Sequence, residues 1–489
     1  AYLKILSPIG LKKQFPTITL TFKLLNHILT MQFLFRLIRP NFDSSRLLLL
    51  IFLAAFLSSC HSSRKIEKAA RATILNDPAF VNAHTGISIF DPLSGQYLYQ
   101  YQGDKYFVPA SNTKIITLYA GLKGLGDSIP GLRYRATADT IYLQPTGDPG
   151  FLHPDYKSHP VYDFLRSSNK PLVMDASNFK TEALGAGWSW DDYNDDYMVE
   201  RSPMPIYGNL IKWTQVKDTS KSNPIPGDED HAFIYSDPEV NWKVNFSNDT
   251  SNHSFSVRRA FNGNEYTIRQ GHETSRSIDV PFVTNGIQTA IELLKDTLHR
   301  SIFAVAGRNF DRKNSTLIRS RPSDTLYKTM MGRSDNFFAE QILLMVSNEK
   351  WGQMDEHKLI DELLRTDLQS FPQKPNWVDG SGLSHYNLFS PDDFVWILTK
   401  MEKEFGMKRI KSIFATGGTG TIRNYYKKDS GYIYAKTGTL AGVIALSGYL
   451  ITSKNRMLVF SVLVNNHQGG TTPVRKKVEE FIEYIRAQY

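Results

Sequence analysis

The order of apolar patterns along this chain predicts an α+β fold in which helices pack on an antiparallel sheet. Three observations carry that prediction. Helical periodicity recurs in separate stretches at about 281–298, 324–346 and 390–404, three strand-like runs follow at 432–439, 443–452 and 456–464, and a last helix places Val474, Val478, Phe481, Ile482 and Ile485 on one face. Helices and strands that are segregated, rather than alternating one for one, point to α+β rather than to a parallel sheet.

The 489 residues are 41% hydrophobic and 21% charged, which excludes a disordered or collagen-like chain and gives enough length for two or three domains. The formal charge of +9 would suggest a nucleic-acid partner, but most of it sits in residues 1–59, where seven Lys and Arg face Asp43 alone. The rest is nearly neutral, so no nucleic acid is expected. Residues 47–57 form an eleven-residue apolar stretch, followed by Ser58, Ser59 and Cys60. A membrane-spanning helix needs about 20 apolar residues, whereas eleven suits the apolar core of a signal peptide. The run L-S-S-C resembles the lipobox of bacterial lipoproteins, which implies lipid on Cys60, the only cysteine in the chain, and attachment to a membrane on the periplasmic side. A buried free thiol is the plainer alternative, and its position just after an apolar run argues against it. A start at Met31 gives a compact signal, and residues 1–30 fit no part of one.

Past a polar stretch, a helical pattern near 69–75 leads into strand-like runs at 85–90 and 96–102, split by the turn sequence Asp91-Pro92-Leu93-Ser94-Gly95. A helix then starts at Pro109 and Ser111, with Ile115, Leu118 and Leu122 on one face. From about 133 to 278 the sequence turns to Asp, Asn, Ser and aromatics in short alternating runs, which predicts a β-rich insertion. The expected division is therefore a signal segment at 1–59, a first part of the main domain at 60–132, the insertion at 133–278 and a second part at 279–489. Ser390 and Pro391 stand as cap and first residue of the helix that follows.

Three short motifs carry chemistry: Ser111-Asn112-Thr113-Lys114, Ser334-Asp335-Asn336 and Lys436-Thr437-Gly438. Serine followed three places later by lysine also occurs at Ser62, Ser167, Ser177 and Ser347, so spacing alone selects nothing. Only Ser111 opens an apolar helix, where that spacing sets hydroxyl and amine on one face. The amine can act as a base only when neutral, and burial beside a second cation, for which Lys436 is the candidate, favours that state. Ser334-Asp335-Asn336 opens a helix, and alone it reads more readily as that helix's cap than as chemistry. Gly438 lies in a strand, where a missing side chain lets another backbone come close, or marks a bulge.

Together and in this order the motifs resemble those of serine β-lactamases and penicillin-binding proteins. Further stretches, P-A-S-N-T-K at 109–114, G-D-P at 147–149, S-D-N-F-F-A-E at 334–340, D-G-S-G-L-S at 379–384 and A-K-T-G-T-L at 435–440, narrow the likeness to the class C low-molecular-mass penicillin-binding proteins. These are the D-alanyl-D-alanine carboxypeptidase/endopeptidase family known as peptidase S13, which also has a large insertion between its first two motifs. The resemblance covers nearly everything after about residue 83. It implies a serine β-lactamase/D,D-peptidase-like fold and the following roles. Ser111 is the nucleophile and Lys114 its base, Ser334 and Lys436 pass a proton to the leaving amine, and Asn336 holds the peptide amide and orients Lys114. Backbone N–H groups of Ser111 and Thr439 form the oxyanion hole, Gly438 lies beside the substrate, and the Thr437 and Thr439 hydroxyls, near Lys436, meet a terminal carboxylate. The substrates are peptidoglycan peptides ending in D-Ala-D-Ala, with β-lactams as covalent inhibitors, and no metal or other cofactor is expected. A serine β-lactamase and an idle cell-wall-binding lipoprotein on the same scaffold are the alternatives.

Overall fold

The computed structural model describes residues 64–217, 232–247, 253–305, 310–468 and 470–489. The signal segment at 1–59 and Cys60 lie outside the described residues.

One antiparallel sheet organises the fold. Its strands are β1 (His84–Asp91), β2 (Gln96–Tyr101), β3 (Ala415–Thr416), β4 (Ile433–Leu440), β5 (Val443–Ile451) and β6 (Met457–Asn465), in the order β3-β4-β5-β6-β1-β2. The two ends of the chain meet at its centre, where Ile87 of β1 pairs with Val462 of β6. Nearly every residue of β5 and β6 is buried, which requires helices on both faces. A helix at Thr471–Gln488 buries Val474, Val478, Phe481, Ile482 and Ile485 against Ile87, Leu446, Leu450, Phe460 and Val462 on one face. The five residues are those whose spacing predicted that face.

The other face carries four helices, α1 (Lys114–Gly124), α2 (Ser323–Arg333), α3 (Asn336–Trp351) and α4 (Pro391–Ile413). Helix α1 is buried on all sides from Lys114 to Leu122 and packs on α3 and α4, as a helix apolar all round must. Ser390 caps α4 by accepting the N–H of Asp393, whose carboxylate takes the Ser390 N–H in return, with Pro391 at the first position. The helical stretch at 324–346 is divided at Ser334-Asp335-Asn336, where the sequence places a helix start. Ser334, with φ of 63°, ends α2 in the left-handed conformation, and the Asp335 carboxylate accepts the N–H of Phe338 to start α3. That break swings the Ser334 side chain out of both helices.

Between α1 and α2 the chain is rich in strands, with their own apolar core around Leu132, Leu143, Leu172, Met174 and Phe282. A five-stranded mixed sheet joins Ile302–Val305, Leu172–Asp175, Ile141–Pro145, Ser128–Ala136 and Thr316–Pro322 in that order, and two three-stranded sheets lie between 210 and 281. The strands thus begin at Ser128 and end at Pro322. The helix expected from 281 begins only at Gln288, because Ser275–Pro281 pairs along Leu210–Lys217.

Candidate active site

The turn Ala110–Thr113 leads into α1 and sets Ser111 and Lys114 on one side. Lys114 Nζ lies 2.9 Å from Ser111 Oγ, 2.6 Å from Asn336 Oδ1 and 2.7 Å from the Ser381 carbonyl. Its amine is fully buried, and burial pushes its pKa down to about 8 against the opposing pull of Asp379, Glu340 and Asp335. In the neutral amine one position is a lone pair. The two carbonyl oxygens can only accept, so that lone pair faces Ser111, whose hydroxyl can donate to it.

Lys436, on β4, is equally buried and approaches Ser334 Oγ (2.8 Å) and the Thr437 carbonyl (2.7 Å). Burial and the nearby charge of Lys114 hold its pKa well below that of an ordinary lysine. Two buried amines in one site favour a single shared proton over two. The structure therefore brings Ser111, Lys114, Ser334, Asn336 and Lys436 into one cluster drawn from α1, the α2–α3 break and β4.

Other side chains fix this cluster in place. The buried Asn112 amide ties the turn to the sheet, with Ser447 Oγ at 2.7 Å and the Lys436 carbonyl at 2.8 Å. Gly438 serves the same closeness, since a Cβ there would come within 2.5 Å of the Pro109 carbonyl. The close backbone is therefore that of the serine turn itself. Thr437 Oγ1 bonds to Thr421 Oγ1 (2.8 Å), and Thr439 Oγ1 accepts from Arg475 Nη2 (2.6 Å). Asn336 Nδ2 donates to the carbonyl of Tyr197 (2.9 Å), so the strand-rich segment reaches the site.

Residues to which the sequence gave no role complete the arrangement. Asp379 accepts the N–H of Gly382 (2.8 Å) and of Ser384 (2.7 Å), the Asn387 amide (2.7 Å) and Trp188 Nε1 (2.9 Å). This curls 379–384 into a loop that presents the Ser381 carbonyl to Lys114. Gly382, with φ of +80°, sits so close to the serine turn that a Cβ would fall 1.9 Å from the Ala110 carbonyl. Glu340 Oε1 accepts the Ser381 N–H (2.7 Å), and its Oε2 lies 3.6 Å from Arg201 Nη1. Burial and the Asp379 carboxylate push the Glu340 pKa up to about 7, with Arg201 opposing. Arg201 in turn meets Glu356 at 2.5 Å. A sequence signal existed for Glu340, which lies one helical turn after Asn336 and so shares its face. None existed for Arg201, which is 139 residues from Glu340.

Beside Ser334 and Asn336 opens a cleft of about 370 Å³ whose lining includes Asp155, Asp196, Tyr197, Lys212, Asp237 and Asp279. Among the described residues no cluster of His, Cys, Asp or Glu is placed to hold a metal ion.

Residues 68–488 match the family model described as the D-Ala-D-Ala carboxypeptidase 3 (S13) family. The chain is 25% identical over 455 residues to a D-alanyl-D-alanine carboxypeptidase of Actinomadura sp. (strain R39), covering 85% of this chain and 83% of that one. It is 23% identical over 431 residues to the D-alanyl-D-alanine carboxypeptidase DacB of Haemophilus influenzae, covering 81% and 88%. Among solved structures, penicillin binding protein 4 (dacB) from Haemophilus influenzae has the same fold, with a TM-score of 0.66 at 19% identity over 86% of this chain and 98% of that one. The same protein complexed with a novel β-lactam gives 0.64 at 18% identity, over 86% and 99%.

Proposed function

The chain belongs to the D-Ala-D-Ala carboxypeptidase 3 (S13) family, and on that premise we propose that it hydrolyses the bond after the penultimate D-alanine of peptidoglycan stem peptides through an acyl-enzyme on Ser111. The observation that carries this reading is the contact of the fully buried Lys114 amine with Ser111 Oγ at 2.9 Å. Neutral Lys114 takes the hydroxyl proton as Oγ attacks the carbonyl carbon, and the oxyanion forms against the N–H groups of Ser111 and Thr439. The tetrahedral species collapses by breaking the C–N bond, with Ser334 and Lys436 supplying the proton that the leaving amine gains. Water then attacks the ester, and the proton path runs in reverse to restore Ser111. Asn336 orients Lys114 through its Oδ1, leaving its second amide N–H for the peptide. A β-lactam carbonyl enters the same path and leaves a covalent adduct.

The strand-rich segment is an insertion that walls the cleft in this reading of the function. Five Asp side chains line that cleft against Lys212 and Arg333, which favours a stem-peptide residue bearing an amine. Export and lipid attachment at Cys60 rest on the apolar stretch and the lipobox-like run. Incubation of purified stem peptides and cross-linked fragments with the chain, read by mass spectrometry, tests the activity. Loss of one alanine or splitting of the cross-link, absent with Ser111→Ala, is the expected result. Equal products from both proteins overturn it.

A further inference from the structure

Residues 188–197 touch the site at both ends. Trp188 Nε1 donates to Asp379 (2.9 Å), whose loop presents the Ser381 carbonyl to Lys114, and the Tyr197 carbonyl accepts from Asn336 Nδ2 (2.9 Å). Between these anchors the segment turns large rings outward. Trp190 is 72% exposed and meets Phe261, 48% exposed, edge to face with ring centroids 6.4 Å apart. Tyr193 stands edge-on to the same Phe261 at 5.0 Å. A single exposed aromatic needs no explanation, whereas three in contact form a patch whose exposure a ligand relieves.

The patch is held rigidly. Arg259, only 4% exposed, donates to the carbonyls of Tyr193, Ala260, Phe261 and Pro281, so four of its five N–H groups fix the backbone that carries two of the rings. With Tyr193, Phe261, Asn262 and Asn285 it lines a cavity of about 290 Å³. Aromatic rings beside side-chain amides suit a sugar. A pyranose offers a face of C–H groups, drawn to the negative face of an aromatic ring, and a rim of hydroxyls and N-acetyl groups that pair with amides. A lipid tail would use only the rings, and a phosphate would meet Asp191, Asp192 and Asp195 on the same segment.

We propose that Trp190, Tyr193 and Phe261 form a platform for the amino-sugar strand that carries the stem peptide, so that the chain selects peptides still attached to glycan. The inference rests on the Ser111 reading, because it supposes that the stem peptide lies across the site. The spans agree. Four residues of stem peptide separate the scissile bond from the sugar, and four residues of this chain separate Tyr197, at Asn336, from Tyr193, each at most about 14 Å.

The test compares a pentapeptide joined to N-acetylglucosaminyl-N-acetylmuramic acid with the same pentapeptide free of sugar. The full chain is used as wild type, Trp190→Ala, Phe261→Ala and Phe261→Tyr. Wild type is expected to have a kcat/KM roughly 3- to 10-fold higher for the sugar-linked peptide, mainly through KM, the scale of one or two aromatic contacts. Both alanine variants should bring that ratio close to one, and Phe261→Tyr, which keeps the ring, should preserve it. Calorimetric titration with the N-acetylglucosamine tetramer reads the platform without turnover, and the alanine variants should lose that binding. A wild-type ratio of one, a ratio that survives both alanine variants, or no binding of the tetramer overturns the inference. So does a wild-type dimer in sedimentation that Trp190→Ala dissociates, because the patch then belongs to a second copy. A wild type that cleaves neither peptide but binds the tetramer, and loses that binding in Trp190→Ala, overturns the Ser111 reading and leaves the sugar platform standing.

Discussion

Raising the pH from 6 to 8 should speed acylation of Ser111 by roughly 50-fold, because only neutral Lys114 can accept the hydroxyl proton. Burial holds that amine at about 8. A group with that pKa is about 1% neutral at pH 6, about 9% at pH 7 and about 50% at pH 8. The rate therefore climbs close to tenfold per unit at first and flattens above about pH 9. Its midpoint is set by opposing effects, with burial lowering the pKa while the charges of Asp379 and Glu340 raise it. Glu340→Gln keeps an acceptor for the Ser381 N–H but removes a charge that is present above the Glu340 pKa of about 7, so the Lys114 midpoint should fall while the rate at pH 6, where Glu340 is already mostly neutral, changes little. Stopped-flow measurement of the second-order rate constant for a fluorescent penicillin, at half-unit steps, reads both effects. A flat profile between pH 6 and 8, or a midpoint near the ordinary lysine value of 10.5, refutes the assignment of Lys114 as the base. An unmoved midpoint in Glu340→Gln refutes the electrostatic link.

Arg201→Met removes the cation from a buried pair whose side chains are 2% and 0% exposed, and should cost about 3–5 kcal/mol of stability in urea unfolding. A loss below about 1 kcal/mol would contradict the network drawn around Glu340. Gly382→Ala adds a methyl group where the backbone has φ of +80° and the Ala110 carbonyl lies 1.9 Å away. It should destabilise the fold by more than about 2 kcal/mol and slow penicillin acylation, and a stable, fully reactive variant counts against that packing. Cys60→Ala should move the protein from the membrane to the soluble exported fraction with its hydrolytic rate intact, since it takes more than one acyl chain to hold a protein stably on a membrane. Wild type found soluble and free of lipid contradicts the lipobox reading.

The main domain was legible because its signals are local. The last helix shows its five buried positions by spacing, α4 announces its start with Ser390 and Pro391, and the strands at 443–451 and 457–465 are nearly unbroken apolar runs. The candidate site residues were legible for a different reason: Ser111, Ser334 and Asn336 stand at helix starts, where a side chain can project, and Lys436 lies inside β4 on a run that is distinctive in sequence. The break at Ser334 was legible through Asp335, the cap of the helix that follows. Two features were hidden. The start of the helix at Gln288 depends on Ser275–Pro281 finding a partner 59 to 71 residues earlier, a pairing that local alternation cannot specify. The supports of the site are hidden in the same way. Arg201, Trp188 and Tyr197 reach Glu340, Asp379 and Asn336 from the strand-rich segment. The strand-rich segment therefore supplies part of the site's support.

Whether Ser111 carries the acyl group is decided by intact-protein mass spectrometry after brief exposure to benzylpenicillin, followed by peptide mapping. A single penicilloyl adduct on the peptide containing Ser111, and none on Ser111→Ala, is the expected result. An adduct that persists in Ser111→Ala, or that maps to Ser167, Ser177 or Ser347, contradicts it.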